Sequence, residues 1–171
     1  MGSGGYEVAR RMTTVVSDTS PINYLCIIGA IEVLPRLFER VFIPPTVFAE
    51  LGHARAPREV SLWRSNLPAW VTIQKPENMP ELGLDDGETE AISLALELHV
   101  PSILIDEKRG RLAAQKQGLV PVGTLSILAA ASARDFLDFN ATVAKLQQTS
   151  FHVDEALVEA LILEARRRDG K

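Results

Sequence analysis

The sequence predicts an α/β protein: a three-layer α/β/α sandwich around a central parallel sheet of about five strands, followed by C-terminal helices. Two observations carry that expectation. Five short runs are apolar and rich in β-branched residues without a solvent-facing alternation, the signature of strands covered on both faces. Helix-like stretches separate these runs, and strands alternating with helices build parallel crossover units. A length of 171 residues suits one domain with a substantial core.

The elements follow in order. Residues 13–17 (TTVVS) form the first strand. Ser20 then offers an N-cap and Pro21 a first helical position, where its fixed φ and missing N–H cost nothing. That helix stops near Gly29, and a short one follows in AIEVLPRLF. RVFIP (40–44) is the second strand, with helices in PTVFAELGHA and PREVSLWRSN behind it. WVTIQ (70–74) is the third strand, and DDGETEAISLALELHV is the best-patterned helix. SILID (102–106) and LVPVG (119–123) complete the strands, with KRGRLAAQKQG between them and GTLSILAAASARDF after. Two helices close the chain, in NATVAKLQQT and DEALVEALILEARRRDG. The second opens on acids and ends on three arginines and a glycine, in accord with the helix dipole. The expected division is a Gly/Ser-rich leader or cloning scar over 1–12, a domain over 13–135, and helices over 136–171 packed on that domain.

Composition excludes several classes. No apolar run approaches the ~18 residues of a membrane span, and no secretory signal pattern opens the chain, so a cytoplasmic protein without membrane contact is expected. The single cysteine, Cys26, lies among apolar neighbours and reads as a buried small hydrophobe. His53, His99 and His152 are far apart, which disfavours a Cys/His zinc site. A net charge of −4 argues against a simple basic nucleic-acid glove but leaves room for an enzyme whose acids hold cations.

Carboxylates at the ends of elements are the informative feature. Asp18 ends the first strand, where turn chemistry alone needs no charge, and Asp106 ends the fourth with Glu107 beside it. Two such strands side by side would bring both carboxylates to the edge where α/β folds hold ligands. On the long helix, Glu88 heads the stripe Ala91, Ile92 and Ala95, whereas Glu90 falls on the side of Ser93 and Glu97 and is expected in solvent. Glu50 lies beside the apolar residues Val47, Phe48 and Leu51. Gathered acids repel and raise one another's pKa. A divalent cation relieves this, and oxygen-only ligands favour Mg²⁺ or Mn²⁺. Such a centre suits phosphodiester hydrolysis. Lys108, Arg109 and Arg111 either contact the phosphates of a polynucleotide or form a solvated helix face.

The runs VVSDTSPINYL, IPPTVFAEL, LDDGETEAISLALEL and SILIDEKRGRLAAQKQGLVPVGTLSILAAA, in this order, resemble a PIN-domain protein across about residues 14–135. The resemblance is to a bacterial and archaeal PIN-like subfamily related to toxin–antitoxin ribonucleases. It implies a Mg²⁺- or Mn²⁺-dependent endoribonuclease whose quartet of acids is Asp18, Glu50, Glu88 and Asp106, both catalytic and metal-binding. Ser20 and Thr124 match the family's supporting hydroxyls, and Glu90 and Glu107 are rivals within the quartet. The partners it implies are RNA, a small antitoxin protein and a second copy of the chain. The third acid is a Glu where the family usually has Asp, and the sequence after Asp106 also departs from the toxin pattern. Two other readings stay open: a non-catalytic PIN-like module that binds RNA or protein, and a phosphoaspartate-type phosphotransfer enzyme. Ser20 stands where haloacid-dehalogenase-type phosphatases carry a second Asp, which weighs against the latter.

Overall fold

Burial on two faces governs the central strands. In the computed structural model, which describes residues 12–170, β1 (Met12–Ser17), β2 (Phe38–Ile43), β3 (Val71–Ile73), β4 (Ser102–Leu104) and β5 (Val120–Val122) form one sheet. The order is β3-β2-β1-β4-β5 and every pairing is parallel. Successive side chains point to opposite faces, and the core divides accordingly. Val15, Val41, Ile43 and Leu104 enter one cluster, and Val16, Ile103 and Ile105 enter the other. No residue between Val15 and Ser17 has a solvent-facing side, so Val15 and Val16 are both apolar and Ser17 turns its hydroxyl to the Asp18 carbonyl (2.9 Å).

Nine helices, counted among the described residues, cover the faces. They are α1 (Thr19–Ile27), α2 (Val33–Leu37), α3 (Pro45–Leu51), α4 (Arg58–Ser65), α5 (Asp86–Glu97), α6 (Lys108–Lys116), α7 (Thr124–Ala133), α8 (Phe139–Gln147) and α9 (Glu155–Asp169). α5 supplies Ala91, Ile92, Leu94 and Ala95 to the second cluster, joined by Ala114 of α6. The first cluster draws on Ile22 and Leu25 of α1, Val47 and Leu51 of α3, and Leu125 and Leu128 of α7. Each such side chain, taken fully out of water, contributes about 1.5–3 kcal/mol. α8 buries Val143 and Leu146, whereas α9 buries no residue fully and rests Leu157, Val158 and Leu161 on the body.

Two local expectations change. α1 starts at Thr19, with Asp18 in the N-cap position at φ −77°, ψ 177°, so Ser20 lies one residue inside the helix and does not cap it. Pro21 still fits, because the first turn has no intrahelical acceptors for its N–H groups. The strand expected to reach Asp106 ends at Leu104, and Ile105 continues the edge through its N–H to the Val122 carbonyl (3.0 Å). The expected leader over 1–12 lies outside the described residues, apart from Met12, which opens β1. Cys26 is buried, and its thiol is pushed up to about 12, chiefly by loss of water. No helix among the described residues is long and apolar enough to cross a membrane.

Candidate functional site

The strand order reverses at β1, whose neighbours β2 and β4 are reached by crossovers in opposite directions. A crevice at the carboxyl ends of the strands forms at such a point. Asp18 stands on its rim at the end of β1, fixed by its own N–H bonding to the Leu104 carbonyl at 2.9 Å. Its carboxyl is 6% exposed and pushed up to about 7. Burial is the main cause, and the charges of Asp85, Glu50 and Asp106 add to it against one hydrogen bond from the Thr19 N–H.

Asp106 is the most firmly held of the acids. Ser20 Oγ donates to its Oδ2 at 2.7 Å, Thr124 Oγ1 to the same oxygen at 2.8 Å, and the Thr124 N–H to Oδ1 at 2.7 Å. The last bond satisfies an orphan donor at the start of α7. Ser20 and Thr124, read from sequence as supporting hydroxyls, thus both meet Asp106, and Gly123 leaves the room: a Cβ there would come within 3.2 Å of Asp106 Oδ1.

Glu50 is exposed at the end of α3 and accepts from Thr19 Oγ1, so it sits next to Asp18 in the chain path. It leans over the start of α5, where a Cβ on Gly87 would meet Glu50 Oε1 at 2.7 Å. Glu88 is 7% exposed and pushed up to about 8, by burial first and then by its hydrogen bond to Asp85 and the charges of Asp85, Asp18 and Glu107. Its Oε2 lies 2.8 Å from where a Cβ on Gly110 of α6 would stand. The charges of Glu50 and Asp106 thus reach Asp18, and that of Asp18 reaches Glu88.

The contact at Gly87 yields a test. Gly87→Ala puts a methyl against the far end of a flexible side chain, so the fold adjusts cheaply, and Ala in a helix is favoured over Gly by about 1 kcal/mol. The expected result is an unchanged or higher melting temperature and, if Glu50 serves the metal-dependent cleavage that the sequence resemblance implies, cleavage lowered about tenfold, because Glu50 must swing away. Full activity in the variant would remove Glu50 from the chemistry.

Glu90 is not in solvent as the helical wheel suggests: it is 5% exposed. α3 packs across the flank of α5, and the Thr46 N–H bonds to the Glu90 carboxylate, which otherwise rises because burial and Asp86 oppose its charge. Glu90 thus joins α3 to α5, and it also feels the charge of Glu50. Glu107 is exposed in the N-cap position of α6 and acts on Glu88 through its charge. Arg109 is tied to the Gly83 carbonyl (3.1 Å), whereas Lys108 and Arg111 line a groove that includes Asp106.

Asp85 is the acid that sequence reasoning missed. It caps α5 by accepting from the Glu88 N–H at 2.8 Å, and its charge is the largest acting on Asp18. The signal was present in LDDGE, where an acid three residues before a helical Glu is a capping pattern.

A profile of the DUF3368 family, described as PIN domain, matches residues 14–167. The chain belongs to the PIN-domain family. PIN domains are a nuclease-type fold family that typically uses divalent metals. A solved PilT N-terminus domain protein from the hyperthermophilic archaeon Sulfolobus solfataricus is 15% identical, over 84% of this chain and 100% of that one, with a TM-score of 0.48. No curated protein matches the chain. The family match extends through α8 and most of α9, so the C-terminal helices fall within it.

Whether these PIN-domain residues suit a metal rests on their donors. Among the described residues, no group of three or more His, Cys, Asp or Glu forms a ready-made metal cage. Mg²⁺ asks for less, since it keeps several waters and is held by one or two carboxylates together with substrate phosphate. Here the donors are oxygens throughout, and Asp18 and Glu88 are buried among like charges with no basic group among the causes of their shifts. The set fits a hard divalent cation held by one or two of its acids.

Proposed function

We propose that this PIN-domain chain is a Mg²⁺- or Mn²⁺-dependent endoribonuclease, hydrolysing phosphodiester bonds of single-stranded or structured RNA. The observation that supports it is that Asp18, at the switch point of a parallel sheet, feels the charges of Glu50 and Asp106 and acts on Glu88, with Asp18 and Glu88 both raised toward neutrality by burial and neighbouring acids.

Asp18, with Glu88 or Asp106, would hold the cation. When bound, it would lower the pKa of an attacking water and neutralise the leaving oxygen. The chain's own residues do the rest. Ser20 and Thr124 fix both oxygens of Asp106, so that carboxylate keeps one orientation while substrate enters. Thr19 steers Glu50 toward the same crevice. In the absence of a cation, Asp18 and Glu88 hold protons near neutral pH, which limits the repulsion among the acids. Lys108 and Arg111 supply positive charge beside Asp106 for the phosphates of the strand. The reading sets the protein as the toxin of a toxin–antitoxin pair, restrained by a small protein partner.

The purified protein is expected to cut internally labelled RNA in Mn²⁺ or Mg²⁺ and to stop when EDTA removes the metal. A folded protein that takes up no metal in calorimetry and leaves RNA intact would instead be a binding module, and an acyl phosphate trapped on Asp18 would mark phosphotransfer.

A further inference from the structure

The groove beside Asp106 does not end at the acids. It encloses about 410 Å³ and runs from the starts of α6 and α7 to a wall built by the irregular segment between α8 and α9. That wall comprises Ser150, Phe151 and His152, with Tyr24 of α1. Two contacts hold it in shape. The Tyr24 and Phe151 rings meet edge to face, 5.0 Å between centroids and 80° between planes, and the Tyr24 hydroxyl shares a hydrogen bond with Ser150 Oγ at 2.8 Å. A further bond from the Phe151 N–H to Thr149 Oγ1 (3.1 Å) sets the turn that presents the ring.

The groove is therefore divided by chemistry. Asp106, Lys108 and Arg111 line it from the chain around the start of α6, and two half-buried rings and the exposed His152 imidazole line it from α1 and the segment between α8 and α9. Glu107 and Asp154 also border it, so it is not a uniformly basic channel that would hold a polyanion along its whole length. A phosphate at Lys108 and Arg111 joined to a neutral, flat group at the rings matches this division. Single strands are gripped in this way, bases on aromatic faces and backbone on cations.

We infer that Tyr24, Phe151 and His152 form a base subsite, which receives one unpaired base of an RNA strand whose phosphate lies between Lys108 and Arg111. The inference rests on the ribonuclease reading and assigns the C-terminal segment a role in holding substrate. A base stacked on these rings presents its face to protein, so unpaired nucleotides are expected to be preferred over a duplex.

The test uses Asp18→Asn protein, so that RNA survives, with a single-stranded oligoribonucleotide carrying 5-iodouridine and with Mg²⁺ present. Irradiation is expected to cross-link Tyr24, Phe151 or His152, mapped by peptide mass spectrometry. In the same background, His152→Ala and Phe151→Ala are expected to weaken the strand about fivefold or more, and Phe151→Trp to restore it. His152 is exposed, so its variant keeps the fold. A Phe151→Ala protein with a lower melting temperature but unchanged RNA affinity would show a purely structural ring and overturn the inference. Cross-links confined to residues outside the groove, or a perfect duplex bound as tightly as the single strand, would overturn it too. If the wild-type enzyme cuts RNA while these variants bind normally, the base subsite alone is lost. If wild-type protein neither binds nor cuts RNA, both readings fall.

Discussion

Asp18→Asn is expected to lower metal-dependent RNA cleavage by at least about a thousandfold while leaving the protein folded. The size follows from the position. Asp18 is a buried acid at the switch point and feels the charges of Asp85, Glu50 and Asp106. An amide keeps the shape but loses the anionic oxygen, and removal of one preorganised electrostatic group typically costs about 10²–10³ in rate. On the proposed reading, loss of a charge that would hold the cation adds to that. The substitution also removes an acid that burial disfavours, so the variant without metal should melt at or above the wild-type temperature near pH 8. Single-turnover cleavage of a labelled RNA, read beside a thermal melt, separates the two effects. Cleavage within a few fold of wild type would remove Asp18 from the chemistry.

The second large effect is on stability, and its sign is unusual for carboxylates. Asp18 and Glu88 titrate at about 7 and about 8 when folded, against ordinary values of 3.8 and 4.5. Between pH 4 and pH 7 the folded chain therefore keeps protons that the unfolded chain has already released. The stabilisation is complete below the unfolded values and disappears as pH rises through 7 and 8. For Asp18, which is almost wholly buried, the change is on the order of 2–4 kcal/mol. For Glu88 only the direction is used. The metal-free protein is accordingly expected to melt several degrees higher at pH 5 than at pH 8. Millimolar Mn²⁺ or Mg²⁺ should recover much of the loss at pH 8, since a ligand that binds only the folded state stabilises it. Asp18→Asn should flatten the pH profile. A melting temperature that rises steadily from pH 5 to pH 8 without metal would contradict this origin of the shifts.

The layout of the protein was legible in its sequence because strands buried on both faces have no choice but to be apolar. Val15 and Val16 point to opposite sides and are both fully buried, so the strand shows no alternation of apolar and charged residues. The acid at its end stood out against that background. What sequence could not supply was the packing of one helix against another. Glu90 was assigned to solvent from the wheel of α5 alone, and only α3, arriving from a different part of the chain, covers that flank. Ser20 was explained by capping because that is the commonest local use of a hydroxyl before a Pro. Its real partner, Asp106, is 86 residues away. Asp85 was passed over because capping acids are ordinary at the sequence level, and its influence on Asp18 exists only once β1 and α5 lie side by side. The ring pair of Tyr24 and Phe151 joins residues at opposite ends of the chain and leaves no local trace.

Asp18, Asp85, Glu88 and Asp106 lie at the carboxyl rim of the sheet, and at the other rim the described residues include helix-to-strand turns. There the chain passes from α6 into β5 through Gly118 at φ +85°, and from α5 into β4 through His99 at φ +54°. These turns are the natural anchoring points for practical work. A dye, a tether to a surface or a short inserted epitope at that rim would be separated from the crevice by the full length of the strands. Binding and cleavage could then be followed on single immobilised molecules with RNA approaching the free end.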